Sequence, residues 1–270
     1  MDIFQTNCIA CNKTFAVPIL SNIGVLCNAC SKQGSFRKQL VITGITRMNQ
    51  GRVCVSGVDL ETLKFVRPVF GAGLNRDFTM DGSTQVVQHF NVVELEFKNY
   101  RPSKEFHTED WLINETFAPK FIRHLTTEQV KTFLDSISIS DLKKAIERKD
   151  KSLFVIKSPE LKSIVHVDNP SGKLEVRFTF VDRAGNQYNS IPVNDLLILA
   201  WIKLQIKKKY NYNEELIKRF NSNPFRYLRI GLTRVFLGRP WEQVTALFTI
   251  PDLFAGESFA TLEKKLGEQF

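Results

Sequence analysis

The chain has 270 residues, which leaves room for more than one domain, because a single core usually serves about 100–200 residues. Apolar residues make up 43% and charged residues 24%, a globular balance that excludes a fibrous or disordered chain. The formal net charge of +9 indicates a polyanionic partner, with a solvated basic face as the alternative. The amino end is polar, and the longest apolar stretch, LLILAWI at 196–202, is much shorter than a membrane span. We therefore expect a soluble, cytoplasmic protein without a membrane partner.

Four of the five cysteines form two C-x2-C pairs near the amino end. Cys8 and Cys11 are followed, after fifteen residues, by Cys27 and Cys30. In a reducing compartment this spacing predicts one Zn²⁺ held by four thiolates in a closed tetrahedral site. The alternatives are disulfides in a secreted protein, four unrelated buried cysteines, or a redox pair, which needs only one such motif in a βαβ setting. We predict a structural zinc knuckle or ribbon over residues 1–35.

Three β-branched runs follow and predict an antiparallel meander, because their connections are too short for a parallel crossover. The runs are LVITGIT at 40–46, RVCVSGVD at 52–59 and LKFVRPV at 63–69. Gly44 and Gly57 interrupt them, as glycines do where a small barrel bends. Cys54 alternates with valines, and we predict a buried thiol that is neither a metal ligand nor a nucleophile. After a loop-like stretch, FNVVELEFK at 90–98 alternates strictly and predicts a strand with one buried face.

The middle of the chain is predicted to be helical. Thr126 and Gln129 form a capping box, and a second short helix is expected to begin at Ser140. Further on, Asn194 or Asp195 is expected to cap a helix that runs to about Lys209, and another helix is expected near 214–220. The remaining predicted elements are strands, at 153–158, 161–168, 174–182, 225–236 and 241–250.

Short antiparallel strands in two blocks, with helices inserted late, favour two small β-barrels over a sandwich. The predicted fold class is mainly β with helical insertions. The predicted domains are a zinc knuckle at 1–35, a first barrel at 40–125, a helical connector at 126–150 and a second barrel at 151–270.

Two segments resemble a known family, the bacterial dual OB-containing domain. The opening segment is VITGITRMNQGRVCVSGVDLETLKFVRPV, in which the matching positions are Gly51, Arg52, Val53, Cys54, Gly57, Asp59, Arg67 and Pro68. The closing segment is RIGLTRVFLGRPWEQVTALFTIPDLF, in which they are Arg229, Leu232, Arg234, Gly238, Trp241, Val244, Pro251 and Asp252. The resemblance covers roughly residues 40–260 and leaves the zinc knuckle outside. It implies tandem OB-fold barrels and nucleic-acid binding in a prokaryotic defence or nucleic-acid modification system.

The basic residues are concentrated in the last third of the chain. Residues 201–240 contain ten lysines and arginines against two glutamates. OB barrels bind single strands by combining a cationic groove with aromatic rings on which bases stack. The candidate contacts in this region are Lys207, Lys208, Lys209, Arg226, Tyr227, Arg229, Arg234, Arg239 and Trp241. Burial of the aromatic rings in the core, with ordinary surface arginines, is the alternative.

Arg52 and Arg67, within the opening segment, are two further candidate phosphate contacts. Arg67 shares a predicted strand face with Phe65 and Val69, where a barrel interior would lie. A buried arginine needs a partner, so pairing with a carboxylate is the structural alternative, and Asp59 is the nearest one in sequence.

These observations predict a nucleic-acid-binding protein, for single strands or ends, that acts as a recognition module in a bacterial defence or nucleic-acid modification system. One alternative is an adaptor subunit that docks a protein partner, for which the apolar stripe within 253–270 is a candidate surface. A metal-dependent nuclease is the other alternative, with Glu96, Lys98 and an upstream Asp77 or Asp81. The E-x-K pattern is common by chance on the exposed face of an alternating strand.

Overall fold

The structure is a computed structural model, and it describes most of the chain beyond the amino-terminal segment. The described residues are 35–71, 73–102, 106–168, 174–235 and 238–267, with the backbone of 3–7 and 14–18. Strand β1 (Ile3–Asn7) pairs antiparallel with β2 (Thr14–Pro18) and forms a hairpin. The four predicted zinc ligands, Cys8, Cys11, Cys27 and Cys30, lie outside the described residues.

The first half of the described chain is built from eight strands. They are β3 (Phe36–Arg47), β4 (Val53–Asp59), β5 (Phe65–Val69), β6 (Met80–Asp81), β7 (Thr84–Gln85), β8 (Asn91–Tyr100), β9 (Asp110–Ile113) and β10 (Lys120–His124). Strands β3, β4 and β5 form the predicted meander, and β8 pairs with both β3 and β9. A parallel pairing of β5 with β9 closes the circuit β3–β4–β5–β9–β8. This closed five-stranded barrel agrees with the OB fold.

Hydrophobic alternation explains why the barrel strands form where they do. In β8, Val93, Leu95 and Phe97 are buried, whereas Glu94 and Glu96 are only partly covered, as the sequence pattern predicts. The short strands β6 and β7 form a hairpin within the connection between β5 and β8, and β10 adds to the outer edge of β8.

The second half combines strands with all five α-helices of the described chain. In chain order they are α1 (Thr127–Ile137), β11 (Ser138–Ile139), α2 (Leu142–Glu147), β12 (Leu153–Lys157), β13 (Glu160–Asp168), β14 (Leu174–Val181), β15 (Gln187–Pro192), α3 (Leu196–Lys207), α4 (Tyr212–Ser222), β16 (Phe225–Leu232), β17 (Glu242–Ile250) and α5 (Phe259–Leu266). The fold class, mainly β with few helices, is confirmed. None of the helices in the described part of the chain is long and apolar enough to cross a membrane.

The strand neighbours of the second half follow the same order as those of the first barrel. Strands β13, β14 and β15 form a meander, and β16 pairs antiparallel with both β12 and β17. A single parallel bridge between Val193 and Val244 joins the end of β15 to β17. Strand β12 continues into β13 after two residues, so the two act as one bent first strand. Helices α3 and α4 lie between the third and fourth strands of this second barrel.

The helix boundaries follow local capping chemistry. The predicted capping box is present, with Thr126 accepting a hydrogen bond from the Gln129 backbone. The second helix begins later than expected, because the Asp141 carboxylate accepts from the Lys144 backbone and acts as the N-cap in place of Ser140. Of the two candidate caps for α3, Asp195 is the one that accepts, from the Ile198 backbone.

The two halves are joined by shared buried clusters. Residues of both barrels belong to the same buried cluster, and the Arg47 backbone N–H donates to the Asn194 carbonyl at 2.8 Å. The carboxyl-terminal stripe also packs inside the molecule, where α5 lies on α3 and buries Phe259 and Leu262. Within the described part of the stripe, up to residue 267, the apolar side chains are buried or partly buried against the rest of the chain. The predicted domain boundaries stay a prediction.

Candidate functional site

A cavity of about 470 Å³ lies between the two barrels and is called here the inter-barrel cavity. Strands β4 and β5 form one wall, and β16 and β17 form the other. The cavity lining includes the side chains of Arg47, Arg67, Arg229 and Arg234. Among the residues that the structure describes, no aspartate or glutamate lines it. The arginines give the cavity a positive potential, which favours an anionic ligand.

Arg67 is buried and pairs with Asp110, so the expectation that Asp59 is its partner is wrong. Its Nε donates to Asp110 Oδ1 at 2.6 Å, because the parallel pairing of β5 with β9 places these two residues opposite each other. Asp59 instead accepts from Lys38 Nζ at 2.7 Å in a second buried ion pair. Asp110 Oδ2 accepts from Arg234 at 2.6 Å, so one carboxylate joins β5 to the loop after β16.

Two other titratable groups stand beside this ion pair. The Ser152 hydroxyl donates to the Glu109 carboxylate, whose pKa is raised by burial. Burial, together with the positive charges of Arg67 and Arg234, lowers the pKa of His107 to about 4. The imidazole of His107 is therefore neutral at pH 7, and its Nε2 lies 3.2 Å from the Leu232 carbonyl oxygen. The positive charge of the site comes from arginines alone.

Arg229 lies at the floor of the inter-barrel cavity and is 1% exposed. Its Nη1 donates to Thr245 Oγ1 at 2.8 Å and its Nη2 donates to Ser56 Oγ at 2.7 Å. Burial lowers the pKa of Arg229 to about 10, so the guanidinium is still charged at neutral pH. Gly44 makes room for it, since a Cβ at that position would lie 2.4 Å from Arg229 Nη1.

Four arginines at or within the β3–β4 and β16–β17 loops are called the basic rim. Arg47, at the end of β3, and Arg234 line the inter-barrel cavity, whereas Arg52 and Arg239 lie nearby in the same two loops. The Arg234 side chain is 64% exposed, and the Arg239 guanidinium lies 3.7 Å from the centre of the Trp241 ring. Trp241 itself is 39% exposed, which suits an aromatic ring on which a base stacks.

A smaller cavity of about 360 Å³ continues the basic surface on the other side of the β3–β4 loop. Its lining includes Arg47, Arg52, Arg76 and Lys203, together with the acidic Glu263. Arg76 donates to Glu263 at 2.5 Å, so part of this charge is neutralised. The positive surface thus extends from helix α3 past the β3–β4 loop to the inter-barrel cavity.

Other predicted contact residues have structural roles. The structure places Tyr227 in the core, where its hydroxyl donates to Asp135 at 2.7 Å. Arg226 donates to the backbone carbonyls of Pro159 and Asn223. Strand β16 pairs with β12 and β17 along its two edges. Its residues from Tyr227 to Leu232 are all buried, so both of its faces are covered as well.

The three consecutive lysines lie at the end of helix α3, outside the lining of both cavities. All three lysines are exposed, and Lys207 also donates to the Leu266 carbonyl at 2.9 Å. Their charge adds to the field of this end of the molecule without forming a wall of either cavity.

Glu96 and Lys98, the two residues of the predicted E-x-K nuclease pattern, pair with other side chains at the surface. Glu96 accepts from Asn114 and Arg37, and Lys98 pairs with Glu115 at 3.1 Å. Within the part of the chain that the structure describes, no group of three or more His, Cys, Asp or Glu side chains is placed to hold a metal ion.

Cys54 lies in the wall of the inter-barrel cavity. Burial raises the pKa of its thiol, although the nearby charges of Arg67 and Arg229 act in the opposite direction. A thiol of raised pKa is a poor nucleophile at neutral pH. The raised pKa therefore supports the prediction that Cys54 has no catalytic role, which stays a prediction.

The chain matches the family described as the Dual OB-containing domain over residues 38–247. The match begins inside β3 and ends inside β17, so it covers both barrels and leaves the predicted zinc knuckle outside. This confirms the resemblance seen in the sequence over that range. No curated protein matches the chain at a significant level.

Proposed function

The chain belongs to the Dual OB-containing domain family, and on that premise we propose that it binds single-stranded nucleic acid, or the end of a strand, across the mouth of the inter-barrel cavity. OB folds bind oligonucleotides through the loop between strands one and two and the loop between strands four and five. In this chain the β3–β4 loop joins strands one and two of the first barrel. The β16–β17 loop joins strands four and five of the second barrel.

One observation supports this proposal above the others: both loops border the same cavity, and both carry arginines of the basic rim. Arginine side chains bind phosphate oxygens in bidentate geometry, so the rim suits a phosphate backbone. Trp241, with Arg239 packed on its ring, adds an aromatic surface on which a base stacks. A strand that crosses the mouth would contact both barrels at once.

The proposal is tested with variants of the β16–β17 loop. Arg234→Gln combined with Arg239→Gln is expected to weaken binding of a single-stranded oligonucleotide and to lower the slope of log Kd against log salt by about 1.4, which is about 0.7 per lost phosphate contact. Trp241→Ala is expected to cost about 1–3 kcal/mol of binding free energy and to leave the slope unchanged. Fluorescence anisotropy over a range of salt concentrations measures both quantities.

A matched control removes the same charge elsewhere. Lys143→Gln combined with Lys144→Gln changes two exposed lysines on α2, which lines neither cavity. This control is expected to keep the wild-type slope to within a few tenths. If it lowers the slope as much as the arginine pair does, binding follows net charge and not the basic rim.

We also propose that Cys8, Cys11, Cys27 and Cys30 hold one structural Zn²⁺ through their thiolates. The hairpin supports this, because the residues that join β1 to β2 include one complete C-x2-C pair, and such a pair on a tight turn presents two sulfurs to one ion. The cytoplasmic location stays a proposal. The role as a recognition module of a bacterial defence or nucleic-acid modification system is proposed from the family resemblance. An adaptor that docks a protein partner is the function favoured if no nucleic acid binds.

A further inference from the structure

The charge of Arg229 is not neutralised by the side chains that surround it. Its guanidinium donates to two hydroxyl groups, on Ser56 and Thr245, and its Nε has no hydrogen-bond partner among the described residues. No described carboxylate forms an ion pair with it, and Glu109 and Asp195 act on it only at longer range. A buried charge without a counter-ion is costly. Its presence at the cavity floor therefore indicates that an anion completes the site.

The surroundings of Arg229 hold the guanidinium in one place. Gly44 leaves the space that the group occupies, and any side chain there would collide with Nη1. The Thr245 hydroxyl accepts from Nη1 and also donates to the Arg229 carbonyl at 3.2 Å. If this position had only a structural role, an apolar residue of similar volume would give equal or greater stability. The contacts instead pre-organise a charged fork for a ligand.

The other charges of the inter-barrel cavity favour the same class of ligand. Arg67 and Arg234 share the carboxylate of Asp110, Arg67 has Glu109 as a second partner at 3.9 Å, and Arg47 donates to the Leu174 backbone carbonyl at 3.0 Å. Positive side chains therefore outnumber the carboxylates that neutralise them. Arginine forks match the oxygens of phosphate groups, which carry up to two negative charges.

The inter-barrel cavity has a buried floor and an exposed rim, so its shape suits the end of a ligand better than the middle of a strand. Its floor is formed by the buried residues Ser56, Arg229 and Thr245, whereas its rim includes the exposed Asn49 and Arg234. Its volume of about 470 Å³ lies within the range of small-molecule sites. We propose that the inter-barrel cavity binds a phosphate monoester, with Arg229 as its contact at the floor. The phosphate group belongs either to the phosphorylated end of a strand or to a free nucleotide. The first of these two sources rests on the proposed function.

The test compares ligands that differ only in a terminal phosphate. Internally labelled oligonucleotides of about ten nucleotides, within the usual site size of OB folds, carry a phosphate at the 5′ end, at the 3′ end or at neither. Adenosine monophosphate and adenosine are compared by calorimetry. If the source is a strand end, one phosphorylated strand is expected to bind about tenfold more tightly than the unphosphorylated strand, a difference of about 1.4 kcal/mol. If the source is a free nucleotide, adenosine monophosphate binds and adenosine does not.

The variant Arg229→Met removes the charge and keeps most of the volume. It is expected to abolish the phosphate-dependent difference, so that phosphorylated and unphosphorylated strands bind this variant with equal affinity. Arg229→Lys, which keeps the charge without the planar fork, is expected to retain part of the difference. If neither variant folds, the wild type decides, because adenosine monophosphate should raise its Tm or compete with the phosphorylated strand, and adenosine should do neither.

The outcomes separate this inference from the proposed function. Equal affinity for all strands, without binding of adenosine monophosphate, overturns the phosphate site and leaves the proposed function intact. Binding of adenosine monophosphate without binding of any strand supports the phosphate site and overturns the proposed function. Binding of neither overturns both, and a phosphate-dependent difference that persists in folded Arg229→Met overturns the assignment to the cavity floor.

Discussion

Replacing Asp110 by alanine is expected to lower the free energy of unfolding by about 3–5 kcal/mol, the range measured when one partner of a buried ion pair is removed. Asp110 is 1% exposed, and its two oxygens accept hydrogen bonds from Arg67 and Arg234. Without the carboxylate, the side-chain partners left to the buried Arg67 among the described residues are Ser152 at 3.2 Å and Glu109 at 3.9 Å, and burial raises the pKa of that glutamate. The tie between β5 and the β16–β17 loop is lost as well.

Urea denaturation of Asp110→Ala and of a matched control measures this effect. The control is Asp81→Ala, which changes an exposed aspartate in β6 and is expected to alter the free energy of unfolding by less than about 0.5 kcal/mol. If Asp110→Ala lowers the free energy of unfolding by less than about 1 kcal/mol, the contacts of Asp110 with Arg67 and Arg234 are not needed for stability.

Replacing Cys8 and Cys27 together by alanine is expected to abolish stoichiometric zinc binding. The change leaves one ligand in each C-x2-C pair, and two thiolates do not complete a tetrahedral site. Structural zinc sites contribute about 10–16 kcal/mol of apparent binding free energy, so the affected segment cannot keep its fold without the ion. We expect residues 1–35 to unfold while the barrels stay folded, because the sequence offers too few apolar residues between the cysteine pairs for a core that is stable without metal.

Metal analysis of purified protein measures zinc directly, and Cys54→Ala is the matched control. Wild type and Cys54→Ala are each expected to contain one equivalent, and the double variant is expected to contain far less. Well under one equivalent in intact wild-type protein would refute the zinc site.

Strands with clear alternation could be predicted from the sequence, whereas polar strands could not. The alternating segments that became β8 and β14 were predicted within two residues. Strands β10, KFIRH, and β15, QYNSIP, lack an apolar stripe, and the residues of β10 are all exposed. Backbone hydrogen bonds to a neighbouring strand hold them in place, and those bonds leave no mark in the side-chain pattern.

The side-chain contacts of the site depend on long-range strand pairing, which cannot be predicted from a single sequence. Asp59 is near Arg67 in sequence, but Asp110, 43 residues away, is the partner that the parallel pairing of β5 with β9 brings to it. In the same way, the sequence predicts Tyr227 and Arg229 of β16 as nucleic-acid contacts. The strand is buried on both faces, so Tyr227 and Arg229 point into the interior. The role of Gly44 beside Arg229 depends on contact between the two barrels and has no local signal.

The affinity of zinc-loaded wild-type protein for a single-stranded oligonucleotide, measured at about 50 and 200 mM salt, tests the nucleic-acid function most directly. If each of the four arginines of the basic rim contacts one phosphate, the slope of log Kd against log salt is about 3, and the affinity falls roughly 50-fold between these two concentrations. The expected result is therefore tight binding at low salt that is largely lost at high salt. A folded, zinc-loaded sample that binds neither DNA nor RNA at low salt would contradict the account and favour the adaptor function.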